Sequence, residues 1–178
     1  MSNNLRFSLL LLIISCILSC ENPNPNIDNT GKDELISHEV NHPIDKGQMK
    51  YNDLIYVPIY SDIYVNQQNQ KSLLSATLSI RNTNYSDTLF VSKIDYFNTE
   101  GNLVRSYIKN PISLPPMGTI NYVIERDDDT GGSGANFIVA LSATKRKIKP
   151  LIQAIMIGEN GGNQGFAFST DGYSIKEK

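Results

Sequence analysis

From Tyr51 onward the apolar residues recur at every second position, and Gly, Pro, Asn and Asp gather between the runs. A period of two sends alternate side chains to opposite faces, so the pattern predicts strands rather than helices. The clearest run sets Leu74, Ala76, Leu78 and Ile80 against Ser75, Thr77, Ser79 and Arg81. Asn82–Asp87 is a polar connection. Asn98–Asn102, with Gly101 available for positive φ, links Thr88–Phe97 to Leu103–Ile108 as a hairpin. Pro111, Pro115 and Pro116 punctuate the next crossing, after which Ile120, Tyr122 and Ile124 share a face. Phe137–Ala143 and Leu151–Ile157 are nearly unbroken apolar runs, which predicts strands covered on both faces or central in a sheet. Gly165–Thr170 is shorter and closes at Asp171-Gly172. Leu54–Tyr60 contains Pro58 and so belongs at an edge or bulge.

About eight short strands without a convincing amphipathic helix predict an all-β fold, a single immunoglobulin-like Greek-key β-sandwich. It occupies residues 48–178. The chain has no Trp and this stretch no cysteine, so the sandwich is of a kind without a disulfide. An apolar share of 40% supports a core, and 19% charged residues is too few for a disordered chain.

The first 47 residues read differently. Arg6 precedes Phe7–Leu18, an apolar stretch of about a dozen residues where a spanning helix needs about 20. It is read as an export signal over residues 1–19. Ile17-Leu18-Ser19-Cys20 resembles a bacterial lipobox. Cys16 fits the same pattern loosely but would leave Ile17 and Leu18 at the mature end, whereas Cys20 is followed by polar Glu21–Asn26. Cys20 is therefore the expected lipidation site. Several acyl chains on one residue anchor stably where a single chain is marginal. Residues 20–47 are read as a flexible acidic tether, with six acidic groups against Lys32 and Lys46. Residues 48–178 carry 13 basic and 12 acidic groups, a nearly neutral body. The expected location is the bacterial cell envelope, lipid-anchored and facing the periplasm or cell surface.

Candidate chemistry is sparse. The body has no cysteine, which excludes thiolate ligands and nucleophiles, and both histidines, His38 and His42, fall in the tether. A histidine base inside the sandwich is thereby excluded unless the tether folds back. The His-x-x-x-His spacing suits a metal only on a helix, and none is predicted there. Asp127 and Asp129, with Asn136 as a neutral donor, could share a hard cation, although an EF-hand pattern fails at Gly131 and Ile138. A solvated hairpin tip is the favoured explanation. Gly131, Gly132, Ser133 and Gly134 make a poor phosphate cradle because a strand, not a helix, follows. Their glycines still imply positive φ or close backbone approach. Asp127, Asp129, Gly131–Gly134 and Asn136 form the candidate binding loop, with Asn136 expected to bond loop backbone. Tyr56, Tyr60 and Tyr64 are the candidate aromatic face, although core packing also explains them. Lys145, Arg146, Lys147 and Lys149 form a basic cluster able to touch anionic headgroups, with a solvated loop favoured. No cofactor is called for, and no basic run interleaved with aromatics suggests nucleic acid.

Five motifs in order resemble a bacterial family known as domain of unknown function 3124: Tyr56-Val57-Pro58-x-Tyr60-Ser61-x-Ile63-Tyr64, Thr77–Asn84, Pro116–Ile120, Gly131–Phe137 and Ile155–Gly158. The resemblance runs from about Gly47 to Tyr173 and implies an envelope lipoprotein, with no activity, substrate or catalytic residue to carry over.

Elimination favours a non-enzymatic, membrane-anchored binding or assembly module whose partners are membrane lipid, through the acylated cysteine, and an envelope protein or glycan. A small-ligand, glycan or calcium receptor is the alternative. A hydrolase using carboxylates such as Glu125 and Asp127, or a Ser–Lys pair, has no motif behind it.

Overall fold

In a computed structural model, which describes residues 38–40, 44–160 and 164–176, the period-two runs become strands. They are β1 (Tyr51–Pro58), β2 (Asp62–Tyr64), β3 (Lys71–Arg81), β4 (Leu89–Phe97), β5 (Leu103–Ser106) and β6 (Ile112–Leu114). They continue as β7 (Thr119–Ile124), β8 (Asn136–Ala143), β9 (Leu151–Asn160), β10 (Gln164–Asp171) and β11 (Tyr173–Ser174). Eight coincide with the expected runs. The additional β2, β6 and β11 have two or three residues each, too few for alternation to show.

Two antiparallel sheets result. The first has the order β11-β1-β8-β4-β5, with β6 also on β4; the second has β10-β9-β3-β2, with β7 also on β3. Their facing sides make the core. Leu74, Ala76, Leu78 and Ile80 of β3 are buried against Val57, Leu89, Val91, Ile94, Phe137 and Val139 from the first sheet. Each such aliphatic side chain contributes about 1.5–3 kcal/mol on burial. Among the described residues no helix is long and apolar enough to cross a membrane.

Strand directions give the sandwich two unlike ends. Tyr51, where β1 begins, pairs with Ala143 at the close of β8. The β3–β4, β6–β7 and β8–β9 connections gather at that entry end. The β1–β2, β2–β3, β4–β5 and β7–β8 connections gather at the other, far end.

Three expectations are modified. β9 is central, between β3 and β10, but covered on one face only, because Leu151, Ile155 and Ile157 point outward while Ile152, Ala154 and Met156 are buried. Pro58 is the last residue of β1, beyond the two positions that β11 pairs, so its missing N–H disrupts no inner ladder. The expected tether, residues 20–47, is partly built into the sheet. Val40 N–H donates to Pro111 O at 2.8 Å, Ser113 N–H to His38 O at 2.9 Å, and Glu39 bridges Ile112. Residues 38–40 thus cover the free edge of β6. The export signal, Cys20, His42 and the tether up to residue 37 lie outside the described residues.

β10 closes the second sheet, and among the described residues no strand pairs with its other side.

Candidate functional site

The far end is organised by the β7–β8 connection, which carries the candidate loop. Asp128 N–H closes a turn on Glu125 O at 3.0 Å, and Gly132–Gly134 makes one turn of 3₁₀ helix. Thr99, from the β4–β5 connection, stitches this turn together. Its hydroxyl donates to Gly131 O at 3.0 Å and accepts from Gly134 N–H at 2.9 Å, while its own N–H bonds Gly131 O. On the other side Ser61 N–H donates to Gly132 O.

These contacts explain the glycines. A Cβ on Gly131 would sit 1.8 Å from the Tyr96 hydroxyl oxygen. Gly132 has φ +70°, and a Cβ there would meet Thr99 Oγ1 at 2.7 Å. Close approach, anticipated from composition, is therefore directed at Tyr96 and Thr99. Asn136 departs from expectation: it is the first residue of β8, paired with Pro58 and Phe97, and among the described residues the side-chain bonds that hold the loop come from Thr99, Asp128 and Thr130 instead.

Asp127 and Asp129 do not converge. Asp127 lines a cleft of about 510 Å³ with Arg105, Tyr107, Tyr122, Asp128 and Thr130. Asp129 lines a smaller hollow of about 240 Å³ with Tyr64, Lys71, Thr99 and Gly132. Thr130 lines both hollows, and Asn136 lines neither. Among the described residues no group of three acidic, histidine or cysteine side chains is placed to hold a metal.

The three tyrosines do not form one face. The even spacing assumed a continuous strand, but the chain leaves the first sheet after Pro58 and enters the second at Asp62. Tyr56 packs on Tyr173 (ring centroids 5.3 Å), Tyr60 on Phe168 (5.8 Å), and Tyr64 lies under Lys71 Nζ (5.2 Å). Lys71 is ion-paired at 3.0 Å with Asp62, a buried carboxylate whose other oxygen has no hydrogen-bond partner. That hydrogen bond raises the Lys71 ammonium above its ordinary value.

The larger cleft was not anticipated. Arg105 and Tyr107 follow each other at i and i+2, and the guanidinium lies 5.7 Å from the Tyr107 ring. Tyr122, from β7 of the opposite sheet, meets Tyr107 with centroids 3.9 Å apart, and Asp128 Oδ2 stands 3.8 Å from the Arg105 guanidinium. Behind them Tyr107 continues into the core through Phe137 (5.9 Å) and Tyr96 (6.5 Å). Burial pushes the phenols of Tyr107 and Tyr122 above their usual range, so both remain protonated donors at neutral pH. The Tyr107 hydroxyl is buried beside the Tyr122 phenol, which also neighbours Arg105.

With this geometry in view, a family model described as Protein of unknown function (DUF3124) matches residues 52–175. The chain belongs to this family. The DUF3124 match takes in both clefts and the loop between them, and it begins after Cys20 and residues 38–40. No curated protein matches the chain. Among solved structures, the crystal structure of Thermotoga maritima 1070 is similar at 12% identity over 68% of this chain and 92% of that one, with a TM-score of 0.39. Within this DUF3124 chain the residues that sequence reading passed over are Thr99, Arg105, Tyr107, Tyr122 and Asp128. The legible signal was Arg105 and Tyr107 two apart in a strand, on one face and beside a link containing Gly101.

Proposed function

We propose that the protein is a non-enzymatic, lipid-anchored binding module of the bacterial cell envelope, held by acylated Cys20 and receiving an envelope glycan at its far end. The observation that carries the reading is the cleft of about 510 Å³ in which the Tyr107 and Tyr122 rings stand beside the Arg105–Asp128 pair. The rest of the cleft suits a sugar ring. Tyr107 and Tyr122 offer aromatic surface, and Arg105, Asp128 and Thr130 offer donors and acceptors for neighbouring hydroxyls. Glu125, Asp127 and Asp128 outnumber Arg105, which disfavours a polyanion.

The Greek-key reading of the sandwich is supported by β3 beside β7 in one sheet and β4 beside β8 in the other. These adjacencies match those of the B and E strands and of the C and F strands in immunoglobulin-like domains.

Calorimetric titration with N-acetylglucosamine oligomers and soluble peptidoglycan fragments tests the ligand. Binding that weakens about tenfold or more in Arg105→Ala, which leaves both rings and loses the exposed guanidinium of the cleft, is the expected result. Absence of binding to every fragment, or equal binding by the variant, overturns the glycan reading. Retention of Cys20→Ala protein on the membrane after normal processing overturns the anchor.

A further inference from the structure

The net charge of the body conceals a separation of charge along the strand axis. At the entry end Lys50, Arg81, Lys145, Arg146, Lys147 and Lys149 occupy the connections and strand ends of the sandwich. Against them stand Asp45 beside Lys46 in the segment before β1, Asp53 near the start of β1, and Asp87, whose carboxylate accepts from the Thr144 hydroxyl at 2.9 Å and the Lys145 N–H at 3.0 Å. At the far end Asp62, Glu100, Glu125, Asp127, Asp128, Asp129 and Glu159 face Lys71, Arg105 and Arg126. The molecule is basic at one pole and acidic at the other.

The basic pole is built rather than loose. Ile148 is buried in the middle of the cluster, Thr83 donates its hydroxyl to Lys149 O, and Lys145 Nζ reaches Ser86 Oγ at 2.6 Å. Pinned in this way, the β8–β9 connection turns Arg146, Lys147 and Lys149 outward as exposed side chains. None of the three has an ion-pair partner among the described residues.

The chain also arrives at this pole. Residues 44–50 lead into β1 there, with Lys50 N–H on Ala143 O at 3.0 Å. We propose that the entry end is a second membrane contact, in which Arg146, Lys147, Lys149 and their neighbours dock on anionic phospholipid headgroups. The glycan-binding end then points away from the membrane. The inference rests on the acylation of Cys20, because the anchor is what keeps the pole within reach. Each basic side chain near an anionic surface multiplies affinity by roughly fivefold, so three supply on the order of a hundredfold. That is weak between separate bodies and large once tethering makes the event intramolecular. The attraction fades beyond a Debye length of about 8–10 Å, so salt should weaken it.

The test uses the lipidated full chain on vesicles of phosphatidylcholine alone or with phosphatidylglycerol, with lysine acetylation read by mass spectrometry. The expected result is sedimentation with both vesicles, and several-fold slower labelling of Lys147 and Lys149 only where phosphatidylglycerol is present. Added salt should reverse that protection, while Lys71 at the far end should label equally in both. Equal labelling of Lys147 and Lys149 on the two vesicles, with the protein still sedimenting, overturns the second contact and leaves the anchor standing. Failure to sediment with either overturns both.

Discussion

The phenol of Tyr96 and the hydroxyl of Ser61 lie 2.9 Å apart in a place solvent does not reach. Ser61 is on the passage from β1 to β2, where the chain changes sheets, and Tyr96 belongs to β4, so this hydrogen bond fixes the crossing to the core. Tyr96→Phe leaves the serine hydroxyl buried and unpaired, with an expected cost of about 1–2 kcal/mol. In thermal unfolding the midpoint should fall by about 4 °C. Adding Ser61→Ala should restore part of the loss, and an undiminished midpoint in Tyr96→Phe would refute the coupling.

Gly131→Ala places its new methyl against the same phenol. With the Tyr96 oxygen 1.8 Å from the ideal Cβ position, the loop or the ring must move, at about 1–3 kcal/mol. Gly134→Ala, whose nearest neighbour is the Thr99 methyl at 3.1 Å, should cost less. Denaturant titration of the two variants checks the order, and a reversed order would contradict the geometry.

Asn82 is buried at the entry end, and the two hydrogens of its amide nitrogen serve three carbonyls, one of them shared: Asp87 O at 2.8 Å, Pro115 O at 2.9 Å and Leu114 O at 3.1 Å. Its oxygen accepts from Asn84 N–H at 3.1 Å. Asn82→Asp turns those donors into an acceptor facing carbonyl oxygens. It should therefore destabilise more than Asn82→Ala, itself expected to cost about 2 kcal/mol. Equilibrium unfolding at pH 7 separates the two.

Alkaline titration should expose the buried phenols. Tyr51, Tyr96, Tyr107 and Tyr122 are all raised, in each case chiefly by burial. The folded state holds protons that the unfolded chain releases near pH 10. Their contribution to stability is therefore full below about pH 10 and is lost as pH rises through the folded values. Phenolate absorbance should show these four, and Tyr56, whose phenol burial also raises, ionising above the ordinary tyrosine range. Nine tyrosines titrating together near pH 10 in a folded protein would refute this.

The sheets were legible because burial enforces alternation. Leu74–Ile80 and Ile120–Ile124 announce both their strand and its inner face. What escaped has no period. β2, β6 and β11 are too short, and residues 38–40 are held by backbone bonds and by Asn110 donating to the Glu39 carboxylate at 3.0 Å, contacts that show no period. The Tyr56–Tyr64 face failed for a related reason, since alternation carries no mark of the sheet change at Ile59–Ser61. The candidate site was half legible. The glycine loop stood out by composition, but Arg105 and Tyr107 come from the end of β5 in one sheet and Tyr122 from β7 in the other, and their meeting depends on which strands face each other.

The edge of β10 that no strand among the described residues pairs bears on how copies of the protein meet. Gly172 N–H bonds Ile152 O at 2.8 Å, which sets the phase of the β9–β10 ladder and turns the N–H and C=O groups of Gly165, Ala167, Ser169 and Asp171 outward. Over Gln164–Thr170 this edge has no Pro, Lys or other charge, the usual devices against strand addition. Free in solution, two copies can bring these edges together antiparallel by inverting one of them. On a surface that holds every copy by its entry end, no copy can turn over, and neighbouring β10 strands all run in the same sense. Anchorage would then act as a chaperone of geometry, barring the pairing that the sequence leaves open.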